Sequence, residues 1–127
     1  MSKGRFILKV VVEFSAAHVI KGYNGPCARL HGHNWTVEAQ VETRKLDEIG
    51  IGYDFRDLKK KLKVLTESLD HRHLNEIPPF DKINPTAENL ACWIHENLYP
   101  DVDTEDAKLI AIIIWENNRS AVEYRID

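Results

Sequence analysis

The sequence predicts an α+β fold in which a four-stranded antiparallel sheet carries two helices on one face. Segments near both ends of the chain have the alternating or continuously apolar character of strands. The middle of the chain instead contains two segments that repeat apolar residues at steps of three and four. The elements therefore follow the order strand, strand, helix, helix, strand, strand, and the 127 residues suit one domain spanning residues 1–127.

The first two strands are predicted from strict alternation of apolar and polar side chains. One runs from about Arg5 to Phe14 and the other from Trp35 to Glu42. The apolar faces consist of Phe6, Leu8, Val10, Val12 and Phe14 in the first strand and of Trp35, Val37, Ala39 and Val41 in the second. A loop rich in glycine, asparagine and proline, residues 21–26, follows the first strand.

Both helices are predicted from a start signal followed by an apolar stripe. Asp54 is the expected N-cap of the first helix, and Asn84 and Pro85 are the expected cap and first residue of the second. The stripes consist of Phe55, Leu58, Leu62, Leu65 and Leu69 in the first helix and of Leu90, Ile94 and Leu98 in the second. Pro100 is expected to end the second helix, because proline lacks a backbone N–H.

The last third of the chain predicts two further strands. Residues 109–116 are apolar on both faces until Glu116, which indicates a central strand. Residues 117–120 form a predicted hairpin turn into an alternating strand that contains Val122, Tyr124 and Ile126. A four-stranded sheet has two open edges, so we expect the chain to form a homo-oligomer through them.

Composition and charge argue against a nucleic-acid-binding, a membrane-spanning or a secreted protein. A net charge of −3 argues against a nucleic-acid partner bound through bulk positive charge. The longest apolar run, Leu109 to Trp115, is too short to cross a bilayer, so we expect no membrane partner. The N-terminus has no pattern typical of a signal peptide, so a cytoplasmic protein is expected.

The strongest chemical signal is the pair His31 and His33. In an extended segment their side chains point to the same side, and Gly32 between them adds no side-chain bulk. Two imidazoles presented together suit zinc at neutral pH, where they are mostly unprotonated. His18, after the first strand, is the natural third ligand, so the sequence predicts Zn²⁺ held by three histidines.

Cys27 lies close to this cluster and has two functional interpretations. It is either a fourth ligand, which would close a structural Cys-His₃ site, or a free thiol beside an open three-histidine site. In the second case the positive charge of the ion would lower the pKa of the thiol and favour a reactive thiolate. A third interpretation is a small buried residue. Spacing alone leaves these alternatives open.

Two further sets of residues carry possible chemistry. Asp70 precedes His71 at the end of the first helix, where a carboxylate can orient an imidazole for acid–base work or simply cap the helix. Glu116 ends an apolar strand, and it is either exposed or faces a pocket, where it would accept hydrogen bonds from an amino-pyrimidine edge. His73 is expected to face solvent or to support the loop, and His95, in the second helix, is expected at the surface.

Six segments, taken in order, resemble the 6-pyruvoyl-tetrahydropterin synthase/6-carboxy-tetrahydropterin synthase family over essentially the whole chain. They are Phe14-Ser15-Ala16-Ala17-His18, Cys27-x₃-His31-Gly32-His33, Asp54-Phe55, Leu69-Asp70-His71, Asn84-Pro85-Thr86-Ala87-Glu88-Asn89 and Glu116. The resemblance implies the tunnelling fold, in which subunits join their sheets into a barrel, commonly as a hexamer of two trimers. It also implies a pterin substrate, 7,8-dihydroneopterin triphosphate.

The resemblance assigns a role to each matching residue. It makes the three histidines the zinc ligands, Cys27 the catalytic thiol, and Asp70 with His71 the proton relay. It makes Glu116 the anchor of the pterin ring, with Thr86 and Glu88 in the same pocket.

The three-residue gap between Cys27 and His31 resembles the 6-carboxy-tetrahydropterin synthases of queuosine (7-deazapurine) biosynthesis. The implied activity is a zinc-dependent carbon–oxygen lyase that releases acetaldehyde and triphosphate. The alternative within the family is 6-pyruvoyl-tetrahydropterin synthase, which typically has a longer gap. A branch with glutamate in place of Cys27 makes a hydroxymethyl-dihydropterin, and the cysteine counts against it. The alternative of another class is a non-catalytic interaction module stabilised by zinc.

Overall fold

In the computed structural model, the described part of the protein is residues 3–127, except the side chain of residue 27. The first two strands, β1 (Phe6–His18) and β2 (His31–Thr43), form a long antiparallel pair. Their register is continuous from Phe6 opposite Thr43 to His18 opposite His31. Both strands extend beyond their predicted bounds at this end, so the histidines lie in the sheet and not in the loop that joins the strands.

The remaining elements are α1 (Phe55–Glu67), β3 (Arg72–His73), α2 (Ala87–Val102), β4 (Ala107–Trp115) and β5 (Ala121–Arg125). The sheet has the order β3-β1-β2-β4-β5. All its pairs are antiparallel except the two-residue β3, which runs parallel to β1 beside Ala16 and Ala17. The α+β prediction is confirmed, and β3 adds a short fifth strand that the sequence pattern did not indicate, because two residues are too few to show a period.

The hydrophobic core lies between one face of the sheet and the two helices. It joins the inward residues of β1, β2 and β4 to those of α1 and α2. The predicted apolar face of β2 is completely buried, from Trp35 to Val41. By contrast, Phe6 at the start of β1 is 43% exposed, because it lies at the far end of the sheet from the histidines and borders an open groove.

Helix α1 begins where the sequence indicates. The Asp54 side chain accepts a hydrogen bond from the N–H of Arg56 (2.8 Å), as expected of an N-cap. Leu58 and Leu62 are buried, but Phe55 is 58% exposed, so the stripe begins one turn later than predicted. The first helical residue lies beside the same groove as Phe6 and does not reach the core.

Helix α2 differs from its prediction at both ends. Thr86 is the N-cap, and its hydroxyl accepts from the N–H of Asn89 (3.1 Å). The predicted cap, Asn84, instead binds the backbone of Lys21 in the loop after β1. Pro100 lies inside the last turn and the helix continues to Val102. One lost hydrogen bond near a helix end is tolerated here, since Val102 is fully buried against the core.

His95 is a second correction on α2. The predicted surface residue is buried, and its Nε2 donates to the carbonyl of Leu109 on β4 (3.0 Å). It lies on the face of α2 that packs against the sheet, where this hydrogen bond satisfies the buried ring. None of the helices in the described residues is both long and apolar enough for a membrane span.

Candidate active site

Three histidines meet at the end of the β1–β2 pair. His18 is the last residue of β1 and lies opposite His31, the first residue of β2, while His33 follows two residues later. The period of a strand puts all three on the face covered by the helices. Their possible ligand nitrogens lie within 4.8 Å of one another, close enough for a group that could hold one metal ion.

The outer hydrogen bonds of these rings favour metal binding through Nε2. The Nδ1 of His18 donates to the carbonyl of Pro85 (2.8 Å), and the Nδ1 of His31 donates to the carbonyl of Arg29 (2.7 Å). A carbonyl only accepts, so the ring proton is on Nδ1 and the lone pair is on Nε2. In His18 and His33, Nε2 is buried and has no hydrogen-bond partner among the described residues.

Burial also favours the neutral form of two of these imidazoles. Removal from water lowers the pKa of His18 and of His33. The hydrogen bond to Pro85 and then the charge of Glu116 oppose this effect in part at His18, and Glu116 opposes it in part at His33. A zinc-binding imidazole has to be unprotonated, so the environment prepares the rings for an ion. Orphaned buried nitrogens, a three-nitrogen donor set and lowered pKa values together fit Zn²⁺ with one open coordination position.

Trp35 supports the cluster from below. Its ring is fully buried and makes edge contacts with His18 and His33, at centroid distances of 5.0 and 5.2 Å. Its indole N–H points to the carbonyl of Ala16 (3.3 Å), which holds the ring against β1. Sequence analysis placed Trp35 on the core face of β2. It could not predict the contact with His18, because that contact depends on the register between β1 and β2.

Glu116 follows β4 and lies beside the histidines. Its Oε1 is 3.7 Å from Nε2 of His18. Its side chain is 32% exposed and lines a pocket of about 290 Å³. Thr86 and Glu88 line the same pocket, so the structure brings together the three residues predicted to bind substrate. Sequence analysis left open whether Glu116 was simply exposed or faced a pocket; in the structure, it lines one.

The segment before α2 connects this pocket to the histidine cluster. Pro85 holds His18 through its carbonyl, the next residue, Thr86, caps the helix, and Glu88 lies in the first helical turn. A shift in the start of α2 would therefore move His18 and the pocket wall together.

Asp70 and His71 lie near the edge of the sheet where β3 begins. Oδ1 of Asp70 accepts from the N–H of Ser15 (2.8 Å) and is 3.0 Å from Nδ1 of His71. The hydrogen bond from Ser15, reinforced by His71, lowers the pKa of the Asp70 carboxyl. This pair is formed as expected, and the His71 side chain is 80% exposed.

The pair does not share the pocket of Glu116. His71 lines a second pocket of about 450 Å³ together with Arg72, His33 and residues of β1 and β2. Within the described part of one chain, the two pockets have no lining residue in common. The side chain of Cys27 lies outside the described residues, so its position relative to either pocket stays a prediction.

Comparison with known proteins places this arrangement in a family. A family described as 6-pyruvoyl tetrahydropterin synthase matches residues 7–127. The chain belongs to the 6-pyruvoyl tetrahydropterin synthase family.

Individual relatives cover most of the chain. A dihydroneopterin monophosphate aldolase of Pyrococcus furiosus is 39% identical over 95% of this chain and 96% of its own length. A 6-carboxy-5,6,7,8-tetrahydropterin synthase of Synechocystis sp. is 37% identical over 67% and 68%. The structure of 6-pyruvoyl tetrahydropterin synthase from Caenorhabditis elegans covers 98% of this chain and 97% of its own, with 25% identity and a TM-score of 0.83. The chain therefore has the tunnelling fold of this family.

Two features of this family member were not found from sequence. Asn75 and Asn84 bind the backbone of the loop after β1, and Tyr23 in that loop lines the Glu116 pocket. Asparagine in loops is too common to indicate such contacts by itself.

Proposed function

We propose that this protein is a zinc-dependent 6-carboxy-5,6,7,8-tetrahydropterin synthase. It converts 7,8-dihydroneopterin triphosphate to 6-carboxy-tetrahydropterin and releases acetaldehyde and triphosphate, as a step toward queuosine or related 7-deazapurines. The observation that carries the proposal is the 3.7 Å approach of Glu116 to the unpartnered Nε2 of His18. The three histidines that could hold a metal ion and a carboxylate suited to a pterin ring are thus direct neighbours.

The carboxylate of Glu116 accepts two hydrogen bonds from the amino-pyrimidine edge of the ring, which sets the ring's orientation. Thr86 and Glu88 line the same pocket and add polar contacts. With the ring fixed at Glu116, the substrate's side chain extends toward the three histidines.

His18, His31 and His33 would hold zinc, which supplies a Lewis acid that stabilises negative charge on the oxygens of the substrate's side chain. Cys27 takes a proton from that side chain, and His71, oriented by its contact with Asp70, exchanges the second proton. In one chain His71 and Glu116 line separate pockets, which supports a site completed between subunits of a homohexamer.

The second candidate is a dihydroneopterin monophosphate aldolase. It is favoured by the relative from Pyrococcus furiosus, which matches nearly the whole chain at 39% identity. Such an enzyme would cleave a carbon–carbon bond in the side chain of dihydroneopterin monophosphate, and the same three histidines would hold its metal. The cysteine at position 27 favours the first candidate, whereas the length and identity of this match favour the second.

One experiment separates these reactions. Zinc-loaded protein is incubated in parallel with dihydroneopterin triphosphate and with dihydroneopterin monophosphate, and the products are identified by mass spectrometry. Acetaldehyde and triphosphate from the first substrate would support the carboxy-forming reaction. Glycolaldehyde phosphate and hydroxymethyl-dihydropterin from the second would assign the aldolase. A pyruvoyl product without acetaldehyde would assign the pyruvoyl-forming synthase, and no turnover of either substrate would favour a non-catalytic zinc module.

A further inference from the structure

The loop between β1 and β2 places an aromatic ring at the mouth of the Glu116 pocket. Tyr23 lines this pocket although its residue is 55% exposed to solvent. Tyr23 therefore combines a place in the pocket wall with a surface that a ligand can reach. None of the roles assigned to the site so far uses it.

The base of this loop is fixed by two asparagine side chains. Asn75 accepts from the N–H of Val19 (2.9 Å) and donates to its carbonyl (2.9 Å). Asn84 makes the same two bonds to Lys21, at 2.8 and 2.9 Å. Each amide side chain makes the same pair of hydrogen bonds that a neighbouring strand would make. The backbone is therefore fixed as far as Lys21, the residue before the turn at Gly22.

The ring of Tyr23 is also supported from the far side of the turn. Gly22 adopts a φ of +84°, which turns the chain back toward the pocket. At Gly25 an added Cβ would lie 3.1 Å from Cε1 of Tyr23, so the ring packs closely against the backbone of this glycine. The ring thus rests on a fixed loop beside the pocket.

The remaining walls of the pocket suit a flat heteroaromatic ring. Ile20, Ala121 and Val122 supply apolar surface, and Glu116 supplies the polar end. The volume of about 290 Å³ is at the lower limit of ligand pockets, roughly 300–1,000 Å³. This space fits a bicyclic ring without its phosphorylated side chain.

We propose that Tyr23 stacks on the pterin ring whose edge is bound by Glu116, and that it thereby selects a planar aromatic substrate. The proposal rests on the proposed function, because it places the ring at Glu116. Stacking on an aromatic side chain adds affinity by contact with the whole ring face and does not require hydrogen bonds to particular ring atoms.

The test compares four zinc-loaded proteins: wild type, Tyr23→Phe, Tyr23→Leu and Tyr23→Ala. Neopterin is the probe, titrated by its own fluorescence, and zinc content is measured in each protein. We expect Phe to retain wild-type affinity, and Ala to weaken binding on the order of 10-fold with zinc unchanged. Ile49→Ala, which removes a 79% exposed apolar side chain elsewhere, is the matched control and keeps wild-type affinity.

Tyr23→Leu decides whether stacking or apolar bulk is responsible. We expect Leu to behave like Ala; affinity equal to that of Phe would overturn the stacking role. In turnover, loss of the ring should raise KM with little change in kcat, since Tyr23 does not touch the reacting atoms. Unchanged binding in all variants refutes the inference alone. Absence of neopterin binding to wild type refutes both the inference and the ring placement in the proposed function.

Discussion

His18 and Glu116 approach within 3.7 Å, through Nε2 of the imidazole and Oε1 of the carboxylate. The opposite nitrogen of His18 is fixed by the carbonyl of Pro85, at 2.8 Å. The fully buried ring therefore has one defined orientation, with its free lone pair toward Glu116. This contact brings β1, β4 and the start of α2 together in one site. Mutation can separate the proposed roles of the two residues, which are metal binding for His18 and pterin binding for Glu116.

Glu116→Gln should weaken pterin binding and leave zinc in place. Glutamine offers one acceptor oxygen in place of two and removes the charge, and hydrogen bonds to charged groups contribute about 1.5–3 kcal/mol. We expect neopterin affinity to fall by about 10-fold or more. Glu123→Gln, an exposed carboxylate on β5, is the control and should bind normally.

Zinc analysis on the same Glu116 variant tests the division of roles. Loss of the ion from Glu116→Gln would identify the carboxylate as a metal ligand and not as the ring anchor. Normal neopterin binding by this variant would remove Glu116 from the recognition of the ring altogether.

His31→Ala should lose zinc. The remaining two imidazoles are too few to hold zinc. Without the ion, the stability of this end of the sheet depends on contacts within the protein alone. Metal content after gel filtration, together with the thermal unfolding midpoint, measures both effects. His71→Ala is the matched control, because His71 is 80% exposed and lies outside the cluster. Full zinc occupancy in His31→Ala would refute the ligand set.

Asp70→Asn should change the pH dependence of stability. Since the pKa of Asp70 is lowered in the folded protein, its ionised form stabilises the fold above its ordinary pKa of about 3.9. That stabilisation disappears as the pH falls through the lower pKa of the folded state. We therefore expect the variant to be less stable than wild type at neutral pH and equally stable in strong acid.

The measurement is urea unfolding of both metal-free proteins from neutral to acidic pH, so that loss of zinc does not contribute. Asp81→Asn, at an exposed position, is the control. A difference between Asp70→Asn and wild type that stays constant across the pH range would show that the charge of Asp70 does not matter for stability.

The parts of the fold that follow from local patterns were predictable. The alternation in β2 and the apolar stripe of α1 each depend on burial of one face, and Trp35 and Leu62 are indeed fully buried. Contacts between residues distant in sequence were not predictable from the spacing of apolar residues within one helix or strand. His95 is buried only because α2 packs on β4, and the two-residue β3 exists only because it meets Ala16 and Ala17.

The candidate site shows the same division. The spacing of His31 and His33 defines two donors on one strand face, whereas the opposition of His18 to His31 follows from the register of β1 and β2. The proximity of Glu116 depends on the position of β4 beside β2. The sequence could not show that His71 and Glu116 line separate pockets. The order of the motifs along the chain does not determine which pocket each side chain lines.

Cys27→Ala distinguishes a catalytic thiol from a structural ligand. If Cys27 is the base, removal of the thiol leaves the three histidines intact, so zinc content and the unfolding midpoint should match wild type. Turnover should then fall by about 100-fold or more, which is the typical contribution of a positioned acid or base. Cys92→Ala, in α2, is the matched control and should retain turnover. If Cys27→Ala instead loses zinc and unfolds at a markedly lower temperature, the thiol is the fourth ligand, and the open coordination position on which the proposed chemistry depends does not exist.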